Sequence, residues 1–323
     1  MFIGMIVLVV GGITAGVYHY SPSTPPKQWH RFTSLLSQDK AAVVAYGIGG
    51  DVASVPPILP PSLPELQGLL PAPETFTAES IFIKDRESGV VLYAKNGYAK
   101  RSLASITKLM TALVLLEHKL DPQRVLVVVP DALAESHVYT GEQYSIDQLW
   151  EAMLVASSNK AAVTLVDATP WSREAFVERM NQKAVELGMV DTYFVEPTGL
   201  DSRNVSTGSD ISILLNEALK QESIVREMLK KEAIIQTADT HQDRHLWNTN
   251  WLATGWVPHH FSLLGGKTGF IEASGYNVAA RLGHEDGRVL DIVVLGAKVH
   301  EARFTEARDA AEAVFAAYTW PLE

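Results

Sequence analysis

Cysteine is absent from the sequence. Disulfide bonds, cysteine-ligated zinc, a thiol nucleophile and a lipid-modified cysteine are therefore all excluded. Basic residues are also scarce, because 27 lysines and arginines stand against 37 aspartates and glutamates, which gives a formal net charge of −10. A chain without a basic stripe cannot displace counterions from a polyanion, so nucleic acid is excluded as its main partner.

Charged residues are missing from Met1 to Tyr20, and residues Phe2 to Val10 are almost wholly apolar. A helix of that length reaches roughly 30 Å, about the thickness of a bilayer core. Residues 1–20 are therefore predicted to be an uncleaved membrane anchor or a signal peptide of an exported protein. Lys27 and Arg31 follow the apolar run. Positive charges at that end by themselves favour the orientation in which the rest of the chain stays in the cytoplasm, opposite to export.

Prolines are concentrated near the start, where ten of the sixteen lie between Pro22 and Pro73. The stretch from Val55 to Pro61 cannot form a helix or a central strand, because proline removes backbone donors. Residues 21–74 are therefore predicted to be an extended, Pro-rich tether. Residues 75–323 are predicted to be the folded, catalytic domain.

The rest of the chain has strand-like sequence at both ends and helical sequence between them. The predicted strands are Ser80–Lys84, Val90–Ala94, Tyr276–Leu282 and Val289–Leu295. The predicted helices are Ile106–Leu116, Ser145–Ala156, Lys160–Ala168, the segment from the Ser172 cap to Leu187, Ile211–Leu219 and Thr305–Tyr318. This order predicts a mixed sheet with a helical subdomain, in the α+β or α/β class.

The motif Ser105-Ile106-Thr107-Lys108 lies at the start of an apolar helix. Positions i and i+3 share a helix face, so the Lys108 amine can reach the Ser105 hydroxyl. A serine is a poor nucleophile until a base takes its proton, and burial lowers the pKa of a lysine, which makes it such a base. Ser105 is the predicted nucleophile and Lys108 the predicted base, although a small polar residue near a helix start explains Ser105 alone equally well.

A second candidate element is Ser157-Ser158-Asn159, at a break between two predicted helices. There Ser157 can pass a proton to a leaving group, and Asn159 can hold a substrate amide. The loop sequence Ser202-Arg203-Asn204 is a rival, which we rank second because rigid elements hold catalytic geometry better than loops. The Ser-x-x-Lys spacing also recurs at Ser37/Lys40 in the tether and at Ser157/Lys160.

The third element is Lys267-Thr268-Gly269. It is the only place in the chain where lysine is followed by serine or threonine and then glycine. Gly269 allows a ligand to approach the backbone, and Lys267 and Thr268 can bind a carboxylate. An exposed turn explains this tripeptide alone equally well. The functional interpretation therefore depends on all three elements occurring in this order.

A metal site is a weaker hypothesis. His241 and His245 are spaced to share a helix face, but a metalloprotease requires glutamate directly after the first histidine, and here it is Gln242. We therefore interpret these histidines as surface residues, and His259 and His260 as loop residues.

The three elements together resemble those of the low-molecular-mass penicillin-binding proteins, the serine D-alanyl-D-alanine carboxypeptidases and endopeptidases. The resemblance extends from about Thr75 to Tyr318. The matching blocks are Leu103–Ala112, Phe194–Asp201, Ser206–Thr207, Asn248–Leu252 and Gly266–Phe270. It implies a β-lactamase/transpeptidase-like α+β fold, a mostly antiparallel sheet flanked by helices with an inserted all-helical subdomain.

The resemblance also implies roles. Ser105 attacks the carbonyl between two D-alanines of a peptidoglycan stem peptide, and Lys108 is the base. Ser157 and Lys267 return the proton, Lys267 and Thr268 hold the carboxylate, and the N–H groups of Ser105 and Phe270 hold the oxyanion. It implies β-lactams as covalent inhibitors and no metal or organic cofactor. It also implies an exported protein, at the outer face of the cytoplasmic membrane, in the periplasm or in the cell-wall space.

Three features depart from the family pattern. Glu196 stands where asparagine is frequent, and Phe270 replaces a common histidine. The chain also stops at Glu323, too soon for the C-terminal β domain and anchoring helix of larger members, which resembles the endopeptidase branch. Glu196-Pro197 favours a class A-like β-lactamase as an alternative, and a catalytically inactive wall-binding protein is the alternative outside enzymes.

Overall fold

The computed structural model describes residues 63–129, 133 and 137–320. The predicted anchor or signal peptide at 1–20, and the predicted tether as far as residue 62, lie outside the described residues. Within the described part of the chain, no helix combines the length and apolar character needed to cross a bilayer.

A five-stranded antiparallel sheet forms the centre of the described fold. In spatial order its strands are β10 (Ser262–Ile271), β11 (Gly275–Gly283), β12 (Val289–Ala297), β2 (Ser80–Asp85) and β3 (Val91–Lys95). The beginning and the end of the folded chain therefore pair in one sheet, as the sequence predicts.

Helices cover both faces of this sheet. In the described residues they are α1 (Lys108–Leu115), α2 (Ile146–Leu154), α3 (Asn159–Asp167), α4 (Arg173–Glu186), α5 (Gly208–Ala218), α6 (Glu222–Met228), α7 (Trp251–Thr254) and α8 (Ala302–Ala317). The predicted Ser172 cap is confirmed, because its side chain accepts a backbone N–H group at the start of α4, and the side chain of Thr207 does the same at the start of α5. Gly188, with φ of +78°, follows α4 in the left-handed conformation that glycine favours.

Two hydrophobic cores lie on opposite faces of the sheet. Successive residues of β12 alternate between them: Val293 faces the core shared with the helices of the middle of the chain, and Val294 faces the core shared with α8. This alternation follows from the two-residue period of a strand. The layers of helix, sheet and helix confirm the predicted α+β class.

Four short antiparallel pairs complete the part of the fold that the structure describes. They are β1 (Glu65–Leu66) with β13 (Tyr318–Thr319), β4 (Arg101–Ser102) with β7 (Val205–Ser206), β5 (Val125–Val127) with β6 (Gln143–Ser145), and β8 (Glu232–Gln236) with β9 (Asp243–Trp247). The pair β4–β7 joins the segment before Ser105 to the loop around Glu196.

Ordered structure begins before the boundary at residue 75 that the sequence predicts. The strand β1 pairs with β13, and the N–H groups of Gln67 and Gly68 both donate to the carbonyl of Ala317. Leu70 packs against the core on the α8 face. Three of the twelve residues from 63 to 74 are proline, and the partner of this segment lies at the far end of the chain, so the pairing is not visible locally.

Candidate active site

Ser105 lies in a 3-10 turn, Ala104–Thr107, that runs directly into α1. Ala104 has φ of +47°, a strained conformation for a residue with a side chain, and such strain concentrates at functional sites. Asn277 of β11 holds the turn in place, because its side-chain amide donates to the carbonyls of Ser102 and Leu103, at 3.2 Å each. The sheet thus fixes the position of Ser105, whose side chain remains partly exposed.

Lys108 is fully buried and contacts three oxygen atoms. Its Nζ lies 2.8 Å from Oγ of Ser105, 2.8 Å from Oδ1 of Asn159 and 2.9 Å from the carbonyl of Thr198. The predicted contact between Ser105 and Lys108 is therefore present. Asn159, predicted to hold a substrate amide, here also fixes the amine of Lys108.

Ser157 lies in the break between α2 and α3, with φ of +61°. Its Oγ accepts a hydrogen bond of 2.8 Å from Nζ of Lys267, while the adjacent Ser158 caps α3. The helix break therefore turns Ser157 toward the sheet. The structure brings together the second and third candidate elements, although 110 residues separate them.

Lys267 lies within β10 and is 1% exposed. Burial lowers the pKa of Lys267 well below its usual value, and the positive charges of Lys108 and Arg303 lower this pKa further. Because the neutral amine is favoured, Lys267 can accept a proton as well as donate one. The sequence places this tripeptide ahead of a strand, and the structure places it inside one.

Gly269 allows β10 to approach the turn Ala104–Thr107, here called the serine turn. A β-carbon at this position would lie 2.7 Å from the carbonyl oxygen of Leu103 and 3.0 Å from the backbone nitrogen of Ser105. Any larger residue would separate the strand from the nucleophile. The Ser105 N–H therefore lies beside the backbone of the third element.

The neighbours of Gly269 flank the same opening. The Thr268 hydroxyl contacts the hydroxyl of Thr249, with 2.6 Å between the oxygens. Phe270 is 46% exposed and stacks on Tyr276, with ring centroids 4.2 Å apart. The Phe270 ring therefore forms part of the surface beside the third element.

Arg303 is a site residue that the sequence analysis missed. It lies in α8, is 3% exposed, and donates to the carbonyl of Gly269 at 3.2 Å and to His300 at 2.7 Å. Burial lowers the pKa of Arg303 to about 10. Its position in a helix between the apolar residues Ala302 and Phe304 was the available signal, because arginine is rarely buried without a specific task.

The residues of the rival motifs make other contacts. Asn204 of the Ser202 motif is buried, but it donates to Thr107 and accepts from the backbone of Val195. Lys160 donates to the hydroxyl of Thr140, and the Ser37/Lys40 pair lies outside the described residues.

The histidines set aside in the sequence do not form a helical pair. His241 lies in a turn with φ of +53°, and His245 lies on β9, bonded to Glu232 at 2.8 Å, so the possibility that they share a helix face was wrong. His259 and His260 lie in a loop, as predicted. Among the described residues, no cluster of three or more acidic or histidine side chains is arranged to hold a metal ion.

The site is thus a cleft in which two serine hydroxyls each contact a buried amine. The serine turn supplies Ser105 and Lys108, the α2–α3 break supplies Ser157 and Asn159, and β10 supplies Lys267. Lysine and arginine side chains concentrate positive charge here, within a chain of net charge −10. Such a site suits a substrate that carries a carboxylate next to the bond under attack.

Comparison with known proteins agrees with this chemistry. Residues 68–299 match the family described as D-alanyl-D-alanine carboxypeptidase. A D-alanyl-D-alanine endopeptidase of Pseudomonas aeruginosa is 33% identical over 217 residues, which cover 66% of this chain and 69% of that protein. The D-alanyl-D-alanine carboxypeptidase DacF of Bacillus subtilis is 30% identical over 258 residues, which cover 76% of this chain and 64% of that protein.

A solved structure supports the fold. The DD-transpeptidase of Streptomyces K15 superposes with a TM-score of 0.68 at 24% identity, covering 77% of this chain and 99% of that one. The resemblance found in the sequence is therefore confirmed, for the family and for the fold. The chain belongs to the D-alanyl-D-alanine carboxypeptidase family, the low-molecular-mass penicillin-binding proteins, and is a serine-type DD-peptidase.

Proposed function

We propose that this protein hydrolyses D-alanyl peptide bonds in peptidoglycan stem peptides through an acyl-enzyme on Ser105. The contact of 2.8 Å between the Ser105 hydroxyl and the Lys108 amine carries the proposal. That distance is within the reach required of a nucleophile and its base. The second pair, Ser157 and Lys267, supports it by placing a proton relay opposite the first.

In the acylation step, the neutral Lys108 amine takes the proton from the Ser105 hydroxyl. The Ser105 oxygen bonds to the carbonyl carbon of the penultimate D-alanine, and the carbonyl oxygen becomes an oxyanion. The backbone N–H groups of Ser105 and Phe270 are the proposed donors to that oxyanion. Loss of one such donor typically removes about 3 kcal/mol of transition-state stabilisation.

The tetrahedral intermediate then collapses. The bond between carbonyl carbon and amide nitrogen breaks, and the Ser157 hydroxyl gives its proton to the leaving amine. Ser157 regains a proton from the neighbouring Lys267 amine, which receives in turn the proton that Lys108 took from Ser105. A hydroxyl that both accepts from an amine and faces the leaving group can relay a proton without moving. The contact of 2.8 Å between Ser157 and Lys267 supports this assignment.

Lys267 and Thr268 are the proposed binding groups for the carboxylate beside the scissile bond. Arg303 adds positive charge behind them, and its bond to the Gly269 carbonyl holds the strand that carries them. Water then attacks the ester carbonyl, and the acid product and free Ser105 are released. A β-lactam that mimics the substrate acylates Ser105 in the same way.

The alternatives make different predictions. A class A-like β-lactamase would hydrolyse the penicilloyl ester quickly, whereas a DD-peptidase keeps it for a long time. A catalytically inactive wall-binding protein would bind peptidoglycan and take no label. The hydroxyl–amine contacts at Ser105 and Ser157 disfavour the inactive alternative, because a binding protein has no need of them.

Peptidoglycan lies outside the cytoplasmic membrane, so the enzyme acts in the extracytoplasmic space. We further propose that residues 1–20 attach the chain to the outer face of that membrane, or direct its export, and that residues 21–62 extend the catalytic domain away from it. Their composition supports the proposal, because the segment is first apolar and uncharged and then rich in proline.

The test is covalent labelling by a fluorescent penicillin, followed by intact-mass analysis. The wild type gains one penicilloyl group, and Ser105→Ala gains none while its circular dichroism spectrum is unchanged. Ser202→Ala, in the rival motif, is the matched control and retains labelling. Full labelling of Ser105→Ala would exclude Ser105 as the nucleophile.

Digestion of defined muropeptides then assigns the bond. Loss of the terminal D-alanine from a monomeric pentapeptide indicates carboxypeptidase activity, and conversion of cross-linked dimers to monomers indicates endopeptidase activity. The relatives include proteins named for each activity. Absence of both products from the penicillin-reactive enzyme would contradict the proposed hydrolysis.

A further inference from the structure

Glu196, which favoured a β-lactamase in the sequence, directs its carboxylate into its own loop. Oε2 accepts from the N–H of Thr198 at 2.7 Å and from the Thr198 hydroxyl at 2.6 Å. Oε1 accepts from the N–H of Gly199 at 2.5 Å and from the side-chain amide of Asn204 at 2.9 Å. Hydrogen bonds to an ionised acceptor are the strong ones, so this one carboxylate organises the loop from residue 196 to residue 204.

Asn204 closes the loop from its other end. It is fully buried, and its side-chain oxygen accepts from the N–H of Val195 at 2.8 Å. Its own carbonyl accepts from the N–H of Leu103 at 3.0 Å, two residues before Ser105. The Glu196–Asn204 pair therefore connects the loop to the serine turn through backbone atoms.

The same loop contacts three polar side chains of the turn Ala104–Thr107 and of α1. Thr107 accepts from Asn204 at 3.1 Å, and the amine of Lys108 donates to the Thr198 carbonyl at 2.9 Å. The hydroxyl of Thr111 donates to the Pro197 carbonyl at 2.6 Å. A hydrogen bond left unmade in a buried site is costly, so the loop and the helix must fit each other.

Gly199 brings the loop into direct contact with the backbone at Ser105. It has φ of +89°, and a β-carbon there would lie 1.9 Å from the carbonyl oxygen of Ala104 and 2.9 Å from the nitrogen of Ser105. The N–H of Gly199 is itself held by Glu196. Movement of the Glu196 carboxylate would therefore change both sides of the catalytic pair, the turn that carries Ser105 and the carbonyl that aims Lys108.

We propose that Glu196 is a positioning residue for acylation, and that it does not activate water for release of the acyl group. The inference rests on the proposed role of Ser105 and Lys108. The carboxylate acts through two paths. In one, hydrogen bonds connect it through Thr198 to Lys108, and in the other, its hydrogen bond to Gly199 holds that residue against the peptide of Ser105. A general base must reach the water that it activates, whereas both oxygens of this carboxylate are engaged by donors of the loop.

The experiment compares Glu196→Ala with Asp201→Asn in the full chain. Asp201 lies in the same loop and pairs with the exposed Arg203, so its variant removes a carboxylate without disturbing the Glu196 bonds. For each protein, stopped-flow mixing with a fluorescent penicillin gives the dissociation constant of the initial complex and the rate constants of acylation and release. Thermal unfolding measures the change in stability separately.

We expect the Ala variant to be acylated at least tenfold more slowly, with an initial dissociation constant within about threefold of the wild type. Release of the penicilloyl group stays within about threefold of the wild type, and Asp201→Asn matches the wild type in every constant. Glu196→Gln, which retains one acceptor oxygen, serves if the Ala variant does not fold. We expect it to lose acylation rate and to keep its release rate.

Normal acylation with slowed release in either variant would overturn the inference, because that pattern identifies a base for water. Normal acylation and release would also overturn it, because the loop would then not need the carboxylate. A failed inference remains distinct from a failed function. In the first case the wild type is labelled on Ser105, and in the second it is not labelled.

Discussion

Lys108 contacts the nucleophile directly, and its removal tests the base at the scale of one residue. We predict that Lys108→Ala lowers the acylation rate constant by about 10²–10⁴-fold, the usual contribution of a positioned general base. Fluorescent penicillin at single turnover measures it. Lys220→Ala is the control. Lys220 is an exposed lysine paired with Glu217, so this variant should be acylated on Ser105 at the wild-type rate. A Lys108 variant acylated at that same rate would rule out the lysine base.

Lys267 predicts a pH dependence of stability. The unfolded lysine titrates near 10.5, and the folded pKa lies well below that value. Between the two values the unfolded chain binds more protons than the folded chain, so this residue makes stability rise with pH through that window. Below the folded pKa the penalty of burying the charge is fully present.

Lys267→Met removes this contribution. We predict that the free energy of unfolding of the wild type, relative to the variant, increases as the pH rises from the folded pKa of Lys267 toward its ordinary value of 10.5. Urea unfolding at a series of pH values measures it, and the other titrating groups cancel in the difference. A difference that stays constant with pH would show that the Lys267 pKa is the same in both states.

Substitution of Gly269 tests how closely the backbone of β10 must approach the backbone of the turn that carries Ser105. We predict that Gly269→Ala slows acylation at least tenfold and costs about 1–3 kcal/mol of stability, because the new β-carbon overlaps the Leu103 carbonyl. Gly283→Ala is the matched control in the same sheet, since the nearest atom to its β-carbon would be in the flexible side chain of Leu264, at 3.4 Å, an ordinary van der Waals contact. Equal rates for the two variants would contradict the proposed geometry.

At the scale of elements, the pair β1–β13 sets the start of the folded domain. We predict that a chain beginning at residue 63 unfolds with the same free energy as the full chain. A chain beginning at residue 75 loses about 1–3 kcal/mol, because the backbone bonds to Ala317 and the β1–β13 pair are lost. Urea unfolding of the full chain and of the two truncated chains measures these differences in free energy. Equal stability would place the boundary where the sequence placed it.

The elements also show what the sequence could predict. The helices α2 to α5 and the strands β2, β3, β11 and β12 follow from periodicity, caps and apolar runs. The strand β10 was only partly visible, because Gly265, Gly266 and Gly269 lower its strand propensity. The β8–β9 hairpin was missed, since its two short strands contain only three buried apolar residues among more exposed ones.

The candidate site was predictable where it rests on short spacing and on motif order. Ser105 and Lys108 are three residues apart on one helical turn, so their contact follows from local geometry. The direction of the Glu196 carboxylate depends on an irregular loop that has no period to read. Arg303 was missed because its task depends on the Gly269 carbonyl, a partner 34 residues away.

At the scale of the whole molecule, the site joins the two faces of the fold. Ser105 and Ser157 belong to the helical side, and Lys267 belongs to the sheet. A penicilloyl group attached to Ser105, with its carboxylate at Lys267 and Thr268, would connect these parts. We predict that complete acylation raises the unfolding temperature by about 4–8 °C, which corresponds to about 2 kcal/mol in a domain of this size.

Differential scanning calorimetry with and without penicillin checks this expectation. Ser105→Ala is the control and shows no shift at the same penicillin concentration. An unchanged unfolding temperature in a fully labelled wild type would show that the adduct contacts only one side of the cleft.

The burial of Lys267 and Arg303 has a consequence for the evolution of this enzyme. Their hydrogen-bond partners in the described structure are hydroxyl, carbonyl and imidazole groups, so burial disfavours the charged form of each side chain. A mutation that placed a carboxylate beside them would raise the unfolding temperature. That carboxylate would also occupy the position proposed for the carboxylate of the substrate. Selection for stability and selection for catalytic turnover therefore oppose each other at the site of Lys267 and Arg303.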